Sequence, residues 1–287
     1  MARIAVIGSG VVGKATGIGL ISTGHQVKFF DINPERVEEL EKEGYQAKGP
    51  DLLNVHDFDA FFFTVSTPTV DGKIHLGFLE SAVANLGKLI KEKKDYFVVV
   101  GRSTMPPGTT EEFIIPLLEK YSGKKAGLDF GVCMNPEYLR EKTSKDDFMR
   151  PWIIVIGALD KRSGDTLCQI YNSYECPIHQ VSLKEAEMQK YVHNLFNATK
   201  ITFFNEMRGI CKALDLDADK IFKITAESAE GSWNKMYGIR DMGPFEGSCL
   251  PKDTAAFSGW VKEKFGDNKT RLLDTTIAVN ETIKRDG

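Results

Sequence analysis

Long apolar runs are missing from this sequence. The longest, such as residues 60–65 and 96–101, fall far short of the roughly 20 residues a membrane-spanning helix needs. Blocks of Lys or Arg are missing too: 37 basic and 40 acidic side chains give a formal net charge of −3, which argues against a nucleic-acid binder held by phosphate electrostatics. Cysteine is sparse. Cys133, Cys168, Cys176, Cys211 and Cys249 are odd in number and have no CxxC spacing, so neither a disulfide framework nor a metal site is expected. No secretory signal is expected either, since Met1-Ala2-Arg3 leads straight into an apolar strand with no cleavage site behind it. What is present is 287 residues, 42% apolar and 27% charged, the balance of a globular protein long enough for two domains. The expectation is a cytoplasmic protein with no nucleic-acid or membrane partner.

Short apolar runs at 4–7, 26–30, 60–65, 97–100, 132–134 and 153–156 read as buried strands. Amphipathic stretches at 12–23, 34–43, 76–93, 109–121 and 161–174 alternate with them as helices. Repeated βα alternation predicts a Rossmann-like, doubly wound parallel sheet over residues 1–181. After Val181 the pattern changes. Ser182-Leu183-Lys184-Glu185 is a capping-box sequence, and Leu183, Ala186, Tyr191, Leu195, Ala198, Phe204, Met207 and Cys211 recur at helical spacing over about 30 residues. Further helices are expected at 217–227, 254–264 and 271–284, so residues 182–287 form an all-helical domain. Between them, residues 231–251 hold Gly231, Gly238, Gly243, Pro244, Gly247 and Pro251, too many breakers for a helix. A long loop inside a helical domain is more often functional than idle.

Gly8-Ser9-Gly10-Val11-Val12-Gly13 fits G-x-G-x-x-G between a predicted strand and a predicted helix, the setting in which such a turn holds a pyrophosphate at a helix N-terminus. Asp31 ends the next strand, where an acid takes the ribose hydroxyls and repels a 2′-phosphate, so NAD is the expected cofactor. Arg36, just beyond, is either an adenosine contact or a solvated side chain.

Four further segments stand out: Ser103-Thr104 after a strand, Asn135-Pro136-Glu137-Tyr138-Leu139-Arg140-Glu141 after another, Lys190 with Asn194 one helical turn on, and Gly247-Ser248-Cys249-Leu250-Pro251-Lys252-Asp253. Each has a plainer reading. Cys133, Cys168 and Cys211 are expected to be buried hydrophobes, Lys190 and Asn194 fit the wet face of a helix, and Glu137 and Glu141 fit solvated acids. Cys249 differs because a Gly/Pro-rich turn at a helix N-terminus exposes a thiol.

Together with Val65-Ser66-Thr67-Pro68-Thr69 and Asn205-Glu206, these segments run in the order seen in the UDP-glucose/GDP-mannose dehydrogenase family, which the sequence resembles along nearly its whole length. The resemblance implies an NAD-dependent enzyme that oxidises a nucleotide-sugar alcohol to a carboxylate in two hydride transfers. On that resemblance Cys249 is the nucleophile, and Lys190 and Asp253 stabilise oxyanions and position a water. Asn194 binds the sugar or the reacting oxygen, Thr104 joins the water network, and Glu137 assists thioester hydrolysis. The implied cofactor set is Gly8, Gly10, Val11, Val12, Gly13, Asp31, Arg36, Thr67, Pro68, Ser103, Thr104 and Glu141. The implied substrate set is Glu137, Tyr138, Leu139, Lys190, Asn194, Arg240, Gly247 and Cys249, with Arg240 reaching across a homodimer formed by the helical domain.

Two departures accompany the resemblance. The family's third, nucleotide-gripping α/β domain has no counterpart in the sequence up to Gly287, and Glu246 stands where a glycine is expected, placing an acid beside a pyrophosphate. A substrate with a smaller leaving group, such as a sugar phosphate, or a partner-supplied wall would reconcile them. Two other readings remain open: a two-electron dehydrogenase of the hydroxyacid or 6-phosphogluconate type, and a truncated, non-catalytic NAD-binding protein.

Overall fold

Residues 60–63 read Ala-Phe-Phe-Phe, a run that is stable in water only if both faces of its strand are covered. The computed structural model, which describes residues 1–140, 143–239 and 243–286, covers them. The strands are β1 (Arg3–Ile7), β2 (Gln26–Phe30), β3 (Ala47–Lys48), β4 (Ala60–Phe63), β5 (Thr69–Val70), β6 (Lys73–Ile74), β7 (Val98–Gly101), β8 (Gly131–Met134), β9 (Ile154–Ala158) and β10 (Ile178–Ser182). Eight form one sheet in the order β3-β2-β1-β4-β7-β8-β9-β10, while β5 and β6 make a separate hairpin.

The pairings are parallel except β8 with β9, which run antiparallel through Cys133↔Ala158 and Met134↔Gly157. This corrects the expectation of a wholly parallel sheet. Among the described residues, the link from β8 to β9 carries the short helix Ser144–Met149, and the chain returns antiparallel beside β8. β10, a half-exposed edge strand, was not among the expected strands.

Helices α1 (Val11–Ser22), α2 (Pro34–Lys42), α3 (Gly77–Leu89), α4 (Ile115–Ser122), α5 (Ser144–Met149) and α6 (Lys161–Ile170) connect the strands. A π turn, Thr110–Ile114, precedes α4, where Pro116 cannot donate to the i−4 carbonyl. Successive strand residues point to opposite faces and build two cores. Phe30, Phe61, Phe63 and Val99 pack with Leu79, Val83 and Leu118 on one face. Phe29, Phe62, Val98 and Val100 pack with Leu20 and Leu167 on the other. Each fully buried Phe contributes about 1.5–3 kcal/mol of burial free energy.

Helix α7 (Leu183–Ala213) begins with the predicted capping box: the Glu185 carboxylate accepts the Ser182 N–H at 2.7 Å, and the Ser182 hydroxyl accepts the Glu185 N–H at 3.3 Å. Two compact units divide within this helix, Met1–Val192 and His193–Gly287, because Leu183 and Ala186 pack into the first core.

The second unit holds the rest of α7 with α8 (Ala218–Ser228), α9 (Glu230–Trp233), α10 (Leu250–Phe265) and α11 (Arg271–Asp286). Its ties are local. Glu206 accepts the Leu272 and Leu273 N–H groups at the start of α11 (2.8 and 3.3 Å), and Phe204 meets Phe222 at a ring separation of 4.9 Å. Among the described residues no helix is long and apolar enough to cross a membrane.

Candidate active site

The turn between β1 and α1 admits no side chain at two of its glycines. Gly8 has φ +95°, and a Cβ there would lie 2.9 Å from the Val65 nitrogen; a Cβ on Gly13 would lie 1.9 Å from the Gly8 carbonyl oxygen. Close packing brings the start of α1 against the strand end. The α1 N-cap, Gly10, offers no side-chain cap, and the first turn carries no acid, so the leading N–H groups remain available to an anion. The buried Ser9 hydroxyl also finds no partner within the protein. Asp31 accepts the Ser9 N–H and, at 2.9 Å, the Asn33 N–H, which fixes its carboxylate beside the turn.

A cleft of about 770 Å³ opens here, at the point where the strand order reverses between β1 and β4. Gly8, Gly10, Val11, Val12, Asp31, Arg36, Thr67, Ser103, Thr104 and Glu137 line it. Free helix N–H groups, an unpaired hydroxyl and a ribose-competent acid suit a dinucleotide. Arg36 is exposed and pairs with Glu39 at 3.3 Å. Gly13 supports the turn from beneath. Pro68 does not line the cleft but leads into the β5–β6 hairpin, whose Asp71-Gly72 turn is itself a hairpin signal in the sequence. Glu141 lies outside the described residues.

Loops after β7 and β8 supply the other end of the cleft. Ser103 donates to the Val65 carbonyl at 2.6 Å, and Thr67 donates to the Thr104 carbonyl at 2.7 Å. Lys190, on α7, reaches the loop after β8: its Nζ lies 3.0 Å from Glu137 Oε1 and also donates to the Glu137 carbonyl. Side-chain exposures of 6% and 14% make this a buried ion pair and exclude a wet helix face for Lys190. Glu137's second oxygen accepts the Leu139 N–H at 2.6 Å. The Tyr138 hydroxyl donates to Gln189, and burial pushes its pKa up. Tyr138 and Leu139 line a smaller cavity with Trp152 and Tyr171.

Arg102 carried no motif signal, yet it ties the two loops together. It is 4% exposed, donates to Tyr171 at 2.9 Å and to the Asn135 side chain, and lies 5.3 Å over the Phe148 ring.

In the second unit, Asn194 is exposed on α7, unlike Lys190. Helix α10 starts four residues earlier than expected because Pro251 fits a first helical turn. Cys249 is therefore the N-cap, and its carbonyl accepts the Asp253 N–H at 2.8 Å. The Asp253 carboxylate sits 3.3 Å from Lys252, both exposed. Gly247 has φ +88°, the left-handed turn that delivers the chain to Cys249. Just upstream, the buried Asn280 of α11 holds both backbone groups of Phe245, at 2.6 and 3.1 Å, a restraint with no sequence signal. Glu246 is exposed, and Arg240 lies outside the described residues.

Cys249 is the exposed thiol of the five; Cys133 and Cys211 are buried. Cys168, expected to be buried with them, is only partly covered and accepts from Gln180 at 3.2 Å. Burial pushes the Cys133, Cys168 and Cys176 thiols up.

A switch-point cleft of this shape and donor set, in a doubly wound sheet followed by a helical unit, defines a dinucleotide-binding protein. Residues 2–56 and 51–175 match the NAD binding domain of the UDP-glucose/GDP-mannose dehydrogenase family, and residues 184–282 match its central domain. The chain belongs to that family, and its first unit carries the family's NAD binding domain. GDP-mannose 6-dehydrogenase of Pseudomonas aeruginosa is 36% identical, over 89% of this chain and 63% of that protein. A UDP-glucose 6-dehydrogenase of Haloferax volcanii is 34% identical, over 97% and 69%. A crystal structure of a ternary complex of the Pseudomonas aeruginosa GDP-mannose dehydrogenase aligns with TM-score 0.86 and 34% identity, covering 99% of this chain and 68% of that one. The chain thus spans about 63% of the length of the first of these relatives.

Proposed function

We propose that the protein is an NAD-dependent nucleotide-sugar 6-dehydrogenase, active in the cytosol as a homodimer through its helical unit. It takes a primary alcohol to a carboxylate through a thioester on Cys249. The observation that carries this reading is the buried Lys190–Glu137 pair, because Glu137 lines the dinucleotide cleft and holds the Lys190 ammonium 3.0 Å from its carboxylate. Burying a charge costs several kcal/mol unless it is paired, and a fixed ammonium is a direct way to hold the alkoxide that forms when an alcohol is oxidised.

Gly8–Val12 hold the pyrophosphate of the bound cofactor, Asp31 its ribose hydroxyls, and Thr67, Ser103 and Thr104 its far half. Bound NAD supplies the hydride acceptor for each of the two oxidations. The substrate hydroxyl passes its proton to the water ordered by Asp253, Lys190 stabilises the alkoxide left behind, and loss of the first hydride to the acceptor leaves an aldehyde. The Cys249 thiolate then adds to the aldehyde carbon, forming a C–S bond and a tetrahedral alkoxide. A free aldehyde is a poor hydride donor and this adduct is a good one, so covalent capture divides one hard oxidation into two easier steps. Loss of the second hydride leaves a thioester. Glu137 takes a proton from the attacking water, the C–S bond breaks, and the thiolate is regenerated beside the acid product. Asp253 and Asn194 orient the water and the sugar.

GDP-mannose and UDP-glucose, the sugars named for the relatives, are the first substrates to test. The protein with NAD and either sugar yields NADH and the uronate, whereas Cys249→Ala yields no acid. NADH without any acid would instead support the two-electron reading. Binding of NAD with neither product would support a non-catalytic role.

A further inference from the structure

Helix α7 carries a second buried charge less than one turn before Lys190. Glu187 is fully buried, and its carboxylate reaches the segment that follows β7. One oxygen accepts the Gly108 N–H; the other accepts the N–H and the hydroxyl of Thr110, each at 2.7 Å. The segment is short of donors, because Pro106 and Pro107 have no N–H. Its turn closes when the Thr109 N–H and hydroxyl both donate to the Pro106 carbonyl, at 3.1 and 2.6 Å. Gly108 takes φ +96° to aim its N–H at Glu187. At the other end of the segment, the Thr104 carbonyl is held by Thr67.

Helix α7 therefore presents two buried groups of opposite charge to two different loops. Lys190 fastens the loop after β8, and Glu187 fastens the loop after β7. Both loops line the same end of the cleft, through Glu137 and Thr104. A buried carboxylate is costly unless it is fully hydrogen-bonded, and Glu187 directs its bonds to backbone and hydroxyl donors of one three-residue stretch, Gly108–Thr110.

We propose that Glu187 is a positioning residue. It sets the height of Ser103–Thr104 over the end of β7 and keeps that segment in register with the Lys190–Glu137 pair. The inference deepens the function proposed above: its turnover arm rests on that reading, while its binding arm needs only that NAD binds in the cleft.

The test compares the full chain with Glu187→Gln and Thr110→Val by titration of NAD and of ADP-ribose, which lacks nicotinamide, and by kcat and KM for the nucleotide sugar. Glu187→Gln turns one acceptor oxygen into a donor facing donors. It is expected to weaken NAD roughly tenfold or more, the loss of one charge-assisted hydrogen bond, while ADP-ribose stays within about twofold; kcat falls and the KM for the sugar moves little. Thr110→Val removes only the hydroxyl donor and gives a smaller change of the same kind. It decides the question if Glu187→Gln does not fold. Equal weakening of NAD and ADP-ribose, or no change in either, would show that Glu187 serves the fold alone. A wild-type chain that binds NAD but oxidises no nucleotide sugar would overturn the proposed function and leave the NAD against ADP-ribose comparison to judge Glu187.

Discussion

The two units secure their polar groups in different ways. Around the first unit's cleft, charges are buried and tied across the fold: Lys190 to Glu137, Arg102 to Asn135 and Tyr171, Glu187 to Gly108 and Thr110. In the second unit, Cys249, Asp253 and Asn194 are exposed, and the restraints on the cysteine loop are uncharged, an N-cap position and the clasp of Asn280 on Phe245. The contrast separates two tasks. Cofactor binding draws on a preorganised interior, where a missing partner leaves a buried charge. The thiol is exposed at the start of α10, which leaves it open to a reactant.

Five substitutions sharpen or break that contrast. Cys249→Ala has the largest expected effect on chemistry and the smallest on the fold: acid formation is abolished, and NAD affinity and the urea midpoint stay at wild-type values. A changed NAD affinity would break the division of labour. Next comes Lys190→Met, expected to lower kcat about 10²–10³-fold, as for loss of one oxyanion donor, and to destabilise the chain by about 3–5 kcal/mol because Glu137 is left buried and unpaired. Adding Glu137→Gln should restore much of that stability and none of the activity, which urea unfolding and NADH assays read separately.

Asp31→Asn follows. NAD binding should weaken by about 1.5–3 kcal/mol, the value of a hydrogen bond to a charged group, and the preference over NADP should narrow, both measurable by titration. Smallest is Asn280→Ala, expected to cost the second unit roughly 1 kcal/mol of stability, to speed alkylation of Cys249 and to leave NAD affinity alone.

Legibility in the sequence follows the same contrast. Local chemistry reads well: the G-x-G-x-x-G turn, the Ser182–Glu185 capping box, the apolar strand at 60–63 and the long helix from Leu183 all lie where short-range pattern alone determines the structure. What escapes is set by distant partners. Arg102, Glu187 and Asn280 belong to residue types that usually face water, and nothing within a few positions of any of them reveals a partner 33, 77 or 35 residues away. β10 escapes because an edge strand with one wet face, Ile178-His179-Gln180-Val181-Ser182, lacks the continuous apolar run of its neighbours. The antiparallel β8–β9 pair escapes because strand direction is set by the connecting segment and not by strand composition.

The most direct test of the account counts cofactor against product. With a single nucleotide sugar and excess NAD, NADH and the carboxylate product are measured in the same reaction at completion. Two NADH per acid, with no acid from Cys249→Ala, is the predicted result. One NADH per turnover, or undiminished acid formation by the alanine variant, would contradict it.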